Sequence, residues 1–336
     1  MRGVVLVTLI LMMTMSRGVA AEMLIVLNKS DQTAALVDPQ SYATITQLPT
    51  GPGPHEVAVS ADNRWAYITN YGATAVFRAN AGRQAEPPGN TITVLDVRAR
   101  KVKATYDLGD YQRPHGIVIS RDGTLLWVTC EGAQAVIEIE AMTGRIVRAW
   151  RTNQEVSHML VASRDEQKLY VTNIGSGSVT VIDRSVSHVD QAVTSRATGA
   201  GAEGIALSPD GREVWVTNRS ANTLSVIATA TDQVVATLAS GGTLPIRTQF
   251  TPDGRQVWVS NGRSNSVTLF DATTRQPLKT VAVGAMPVGL QITPDGQRIF
   301  IALSNDNRVV VLTAATGEQL TTFTTGNEPD GMAWVR

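Results

Sequence analysis

The sequence predicts an all-β fold, a seven-bladed propeller of four-stranded antiparallel blades, and two observations carry that prediction. The first is a short apolar phrase, usually ending on a polar residue, that returns seven times. It reads Leu24-Ile25-Val26-Leu27-Asn28, Ala66-Tyr67-Ile68-Thr69-Asn70, Leu126-Trp127-Val128-Thr129-Cys130, Leu169-Tyr170-Val171-Thr172-Asn173, Val214-Trp215-Val216-Thr217-Asn218, Val257-Trp258-Val259-Ser260-Asn261 and Ile299-Phe300-Ile301-Ala302-Leu303. From Cys130 onward its last residues lie 43, 45, 43 and 42 positions apart, the regular period of a repeat architecture. The second is a turn of Pro-Asp-Gly type ahead of the phrase, as at Pro209-Asp210-Gly211, Pro252-Asp253-Gly254 and Pro294-Asp295-Gly296. Such a turn joins two antiparallel strands, because Asp-Gly accepts positive φ.

Taken along the chain, residues 1–21 read as a secretory leader. Arg2, the apolar run Val4 to Met13 and the small residues up to Ala20-Ala21 fit its three regions. The run is too short for the ~20 apolar residues that a membrane span requires. A periplasmic or secreted location is expected, with residues 22–336 forming the propeller and no stable membrane span after cleavage. The body opens at Met23 on the second strand of a blade. Pro329-Asp330-Gly331-Met332-Ala333-Trp334-Val335 matches Pro114-His115-Gly116-Ile117-Val118-Ile119 in its place within the repeat, and so supplies the missing first strand. The ends of the chain then pair and leave no open ring edge.

Within each unit a third strand such as Ser178 to Asp183 and a fourth such as Ile146 to Trp150 complete the blade. The Asp residues closing third strands (Asp38, Asp96, Asp183, Asp271) read as turn chemistry. Trp127, Trp215 and Trp258 share the slot of Tyr170 and read as blade packing. At 43% hydrophobic and 17% charged, the chain buries one substantial core.

Composition excludes some partners. The 29 basic and 29 acidic residues balance, and loss of Arg2 and Arg17 with the leader leaves a charge of −2. Nothing here favours nucleic acid, which requires a basic excess. Cys130 is the single cysteine, so no internal disulfide forms, and its strand-end slot suggests a packed thiol. Gly199-Ala200-Gly201-Ala202-Glu203-Gly204 spells a dinucleotide-binding pattern, but no helix follows it.

Tyr170-Val171-Thr172-Asn173, Trp127-Val128-Thr129, Trp215-Val216-Thr217-Asn218 and Trp258-Val259-Ser260-Asn261, with the turns before them, resemble the YVTN-repeat family of seven-bladed propellers over essentially the whole chain. More distantly the chain resembles seven-bladed lactonases and the haem d1 propeller proteins. A propeller is a platform for many functions, so chemistry has to come from the site.

Three of the four histidines occupy one register, each just before or at the first strand of a blade: Pro54-His55-Glu56, Pro114-His115-Gly116 and Ser157-His158-Met159. The same register continues with Glu203, Ile246 (then Arg247), Val288 and Asp330. First strands line the central channel, so these side chains are expected to ring one mouth of it, with the imidazoles converging at roughly 4–8 Å. The Asn stops and the long insertion Tyr71 to Asn90, a candidate lid, belong to the same face. Arg113 and Arg247 flank the ring and suit an anionic group.

His55, His115 and His158 together suit a divalent metal, with Glu203 or Asp330 as an oxygen ligand or as the group that orients an imidazole. A metal with an open position would serve lactone opening. An imidazole beside a carboxylate offers acid–base chemistry without one. The haem d1 resemblance implies a third alternative, axial ligation of haem iron by one histidine. The competing structural account makes Pro-His a way of entering a strand, with each imidazole bonded to a backbone carbonyl. His188 belongs to the opposite face. Two functions follow: an exported binding or scaffold propeller, taking a small-molecule ligand, a cofactor or another exported protein, or a lactonase-like hydrolase.

Overall fold

The computed structural model describes residues 22–72 and 87–336. The leader over residues 1–21 and the body of the candidate lid within Tyr71–Asn90 lie outside the described residues. Among the described residues the chain forms seven four-stranded antiparallel sheets, as expected. Blade 1 joins the two ends: Met23–Asn28, Thr33–Val37 and Thr44–Pro49 take Pro329–Val335 as their innermost strand. Leu24 pairs with Trp334 and Ile25 with Ala333 across that closure. Blades 2 to 7 follow in chain order. Their innermost strands are Pro54–Val59, Pro114–Ile119, Ser157–Ala162, Ala202–Leu207, Pro245–Phe250 and Pro287–Ile292. No helix among the described residues is long and apolar enough to cross a membrane.

The second strands are continuous apolar runs because both of their faces are covered. Ile25 and Leu27 pack against Ala66, Ile68 and Leu95 of blade 2, while Leu24 and Val26 pack against Phe300, Val309 and Val311 of blade 7. The same alternation gives an apolar seam at every blade interface. Trp127, Tyr170, Trp215 and Trp258 are wholly buried in these seams, as their recurrence suggested.

Polar residues inside the repeat are matched to one another. In the lower turns Ser120 Oγ donates to Asp122 Oδ1 at 2.6 Å and accepts the Leu125 amide at 2.9 Å. Ser60, Ser163 and Ser208 do the same in their blades. The Asn stop is a clasp within its blade. Asn218 Nδ2 reaches Thr223 Oγ1 at 3.0 Å and Ser225 Oγ at 2.9 Å, and Asn70 reaches Thr91 and Thr93. Where the stop is Cys130 or Leu303, the facing third strand offers Ala135 and Ile137, or Arg308 and Val310, with no hydroxyl to bind. Asp38, Asp96, Asp183 and Asp271 accept backbone amides in the outer turns, as their positions predicted.

Candidate functional site

Three local devices aim one residue of each blade into the channel. The first is a left-handed residue just ahead of the innermost strand: Gly53, Arg113, Val156, Gly201, Leu244, Met286 and Glu328 have φ of 59°, 54°, 58°, 78°, 57°, 58° and 52°. The second is a bulge. Pairing jumps from Pro54 to Val57, from Pro114 to Ile117 and from Ser157 to Leu160, which leaves two residues opposite one and re-aims the first of the two. The third is the hydroxyl of the repeated phrase. Thr129 Oγ1 accepts the Gly116 amide at 2.8 Å and donates to the His158 carbonyl of the next blade at 2.5 Å. Thr69 holds the His115 carbonyl in the same way at 2.6 Å, and Thr172 the Glu203 carbonyl at 2.5 Å.

The predicted ring is therefore assembled. The His55 and His115 ring centroids are 4.0 Å apart, at the close end of the expected range, and those of His115 and His158 are 3.6 Å apart, just below its lower limit. His115 is wholly buried, and neither of its ring nitrogens has a hydrogen-bond partner among the described residues. Among the described residues no backbone carbonyl takes up the His115 imidazole, so the strand-entry account does not fit this residue. Glu203 lies beside His158, with Oε1 3.7 Å from Nε2. Asp330 lies 3.5 Å from His55 Nδ1, and its Oδ2 accepts Lys29 Nζ at 2.8 Å. Ile246 and Val288 complete the register and join the apolar seam between blades 7 and 1.

A second tier stands on the first, and the sequence reading did not single it out as a site. The residue after the strand stop reaches the ring in blades 1, 2, 3 and 5, as Lys29, Tyr71, Glu131 and Arg219. Glu131 Oε1 meets His158 Nδ1 at 2.5 Å, and its Oε2 accepts the Tyr71 hydroxyl at 2.5 Å. Arg219 meets Glu203 Oε2 at 3.0 Å. The repeated phrase, read one position past its stop, would have found them. Arg247, named for its charge, is buried and ion-paired with Glu56 from the far side of the channel. Its Nη2 also lies 4.0 Å from Asp330 Oδ1. Arg113 stays at the rim, its guanidinium carbon 6.0 Å from the Tyr71 ring. His188 is exposed between the third and fourth strands of blade 4, away from this mouth. Cys130 is buried beneath Glu131, and burial pushes its thiol far above the ordinary range.

Electrostatics divides the imidazoles. Burial holds His55 and His115 well below the ordinary value of 6.5, with the two other imidazoles and then the nearby cations adding to the shift for His115. Burial also acts against charge on His158, but the hydrogen bonds and charges of Glu131 and Glu203 outweigh it and raise its value. Burial raises Asp330, yet Lys29, His55 and Arg247 together bring it down to about 2. The site thus holds two neutral imidazoles beside one that favours its proton.

The donor set suits a metal ion. One nitrogen each of His115 and His158 and one oxygen of Glu131 lie within 4.8 Å of one another, all buried. A borderline-soft divalent ion takes such N,N,O sets, and the unpartnered nitrogens of His115 are the atoms it would satisfy.

Fold and site together define a closed propeller with an imidazole- and carboxylate-lined channel mouth. Residues 149–298 match a family model described as YNCE-like beta-propeller, in keeping with the YVTN-type phrases in that stretch. No curated protein matches the chain in sequence. Among solved structures, hydrazine synthase of Kuenenia stuttgartiensis is similar with a TM-score of 0.73 at 20% identity, over 87% of this chain and 92% of that one. The periplasmic gluconolactonase PpgL of Pseudomonas aeruginosa gives 0.72 at 18% identity, over 94% and 99%. A Bacteroides fragilis protein described as a putative 6-phosphogluconolactonase gives 0.73 at 13%, also over 94% and 99%. At these identities the likeness concerns the fold.

Proposed function

We propose that this chain is an exported binding propeller whose channel mouth holds a first-row divalent transition metal through His115, His158 and Glu131, with His55 adjacent. One observation carries the reading: among the described residues the fully buried His115 imidazole keeps both nitrogens unpartnered between two other imidazoles. An imidazole left so in a dry interior is costly unless something binds it. Glu203 and Asp330 orient the flanking rings, and Lys29 and Arg247 balance their charge. Export is supported by the leader pattern of residues 1–21.

Bound there, the metal would supply Lewis acidity and an acidified water. The test is elemental analysis of the purified chain with calorimetric titration of Zn(II) and Cu(II) into metal-free protein. About one equivalent is expected, with at least a tenfold loss of affinity in His115→Ala. Absence of stoichiometric uptake by the wild type rejects the reading.

A second reading, a lactone hydrolase, is favoured by the Glu131–His158–Glu203 arrangement. An imidazole whose proton is favoured by two carboxylates is a suitable acid for a departing ring oxygen. Hydrolysis of a lactone panel that disappears in His158→Ala would establish it, and an inactive wild type would exclude it.

A further inference from the structure

The second tier changes character around the ring. Blades 1, 2, 3 and 5 fill it with Lys29, Tyr71, Glu131 and Arg219, whereas blades 6 and 7 offer Gly262 and Ser304. A Cβ at Gly262 would stand 2.7 Å from Ile246 Cδ1 and 3.1 Å from Met286 Sδ, so the backbone there lies directly on apolar side chains. Gly262 carries no side chain and Ser304 turns inward to the Pro329 carbonyl, and beside them a groove of about 830 Å³ lies on the mouth face, within the range of small-molecule sites.

The lining of this groove is specific. Leu244 and Met286, the left-handed residues ahead of two consecutive innermost strands, supply its apolar surface. Arg219 and Arg263 stand on its rim, and among the described residues none that lines it is acidic. The Arg263 side chain is exposed and has no hydrogen bond or ion pair among the described residues. Among the described residues Arg219 has Glu203 alone as a carboxylate partner, and its side chain stays 38% exposed. In a chain with as many acids as bases, one guanidinium unpaired among the described residues and a second, half-exposed one that shares a single carboxylate, both next to an apolar surface, are a local feature with a chemical meaning.

We propose that this groove binds a small organic acid with one carboxylate and an apolar body, such as a medium-chain or aryl carboxylate. The two guanidinium forks hold the carboxylate, whose planar shape they match. The apolar body covers Leu244 and Met286. The groove lies over blades 5 to 7, off the axis and apart from the imidazoles of blades 2 to 4, so the inference does not rest on the metal reading. Arg219 is the link between the two, because it also holds Glu203 beside His158.

The test is calorimetric titration of the metal-free full chain with octanoate, benzoate, gluconate and inorganic phosphate, repeated on Arg263→Glu and Ser220→Trp. Ser220 and Arg263 are exposed groove residues, so both variants should fold, as a thermal melt will verify. Octanoate or benzoate is expected to bind at least tenfold more tightly than gluconate or phosphate. Both variants should lose at least tenfold in that affinity while keeping their Zn(II) uptake equal to that of the wild type. The proposal is overturned if neither organic acid binds at millimolar concentration, if gluconate or phosphate binds equally well, or if the folded variants bind as the wild type does.

Discussion

Val156 holds a left-handed backbone, at φ 58°, that Gly53 and Gly201 adopt in the same place without a Cβ. A β-branched residue in that region is strained, by roughly 1–2 kcal/mol. Part of the relief on replacement is offset by the freedom of glycine in the unfolded chain. Val156→Gly is therefore expected to stabilise the protein by about 0.5–1 kcal/mol in urea titration. Titration of the buried imidazoles gives a second expectation at this scale. The unfolded chain takes up protons near pH 6.5 that His55 and His115 refuse when folded, so their contribution is lost as pH falls below that value. His158 acts in the opposite sense: its contribution is present below 6.5 and fades as pH rises through its raised value. Two groups against one make metal-free protein lose stability between pH 7 and 5, and His115→Leu should flatten that slope. Urea melts at each pH would show it, and an unchanged slope would contradict the assignment. Asp330, lowered to about 2 from 3.8, adds a term present above pH 3.8 and lost as pH falls through about 2. Its size is on the order of 2 kcal/mol.

At the scale of the element, each blade is held by matched pairs whose logic the sequence shows only in part. The strand phrases and turns are visible as strings because strand periodicity and turn chemistry are local. The Asn clasp is not, because its partners lie on a different strand and are recognisable only once register is known. Asn218→Ala leaves Thr223 and Ser225 without their buried partner and should cost about 1–3 kcal/mol by denaturant unfolding. The glycine after the ring residue is a second such case. A Cβ at Gly331 would stand 2.2 Å from the His55 carbonyl oxygen, backbone against side chain, with no flexible end to yield. Gly331→Ala is expected to destabilise the protein by more than about 3 kcal/mol. A wild-type melting curve for that variant would refute the close approach.

The whole molecule depends on closure. Pro329–Val335 covers the inner edge of Met23–Asn28 and contributes Asp330 to the mouth. Truncation after Glu328 removes that strand, exposes unpaired amides and carbonyls, and opens the seams on both sides of blade 1. Loss of the folded state as a unit is expected, seen as absence of a cooperative thermal transition. A truncated chain that melts near the wild-type temperature would mean that the ring tolerates an open blade.

Periodicity in the sequence determined the blade count, the closure and the identity of seven residues sharing one register, since each depends on spacing along the chain. The tertiary structure decided how those residues meet. It drew His115 to within 4.0 Å of the imidazoles on either side and paired Arg247 with Glu56 across the axis. It also added Lys29, Tyr71, Glu131 and Arg219 as a second tier. Ion pairing across a channel joins residues nearly two hundred positions apart, and no local pattern encodes which side chain will find which. The physical reason is that a repeat fixes the direction of each side chain, whereas partner choice depends on distance and charge in the closed ring.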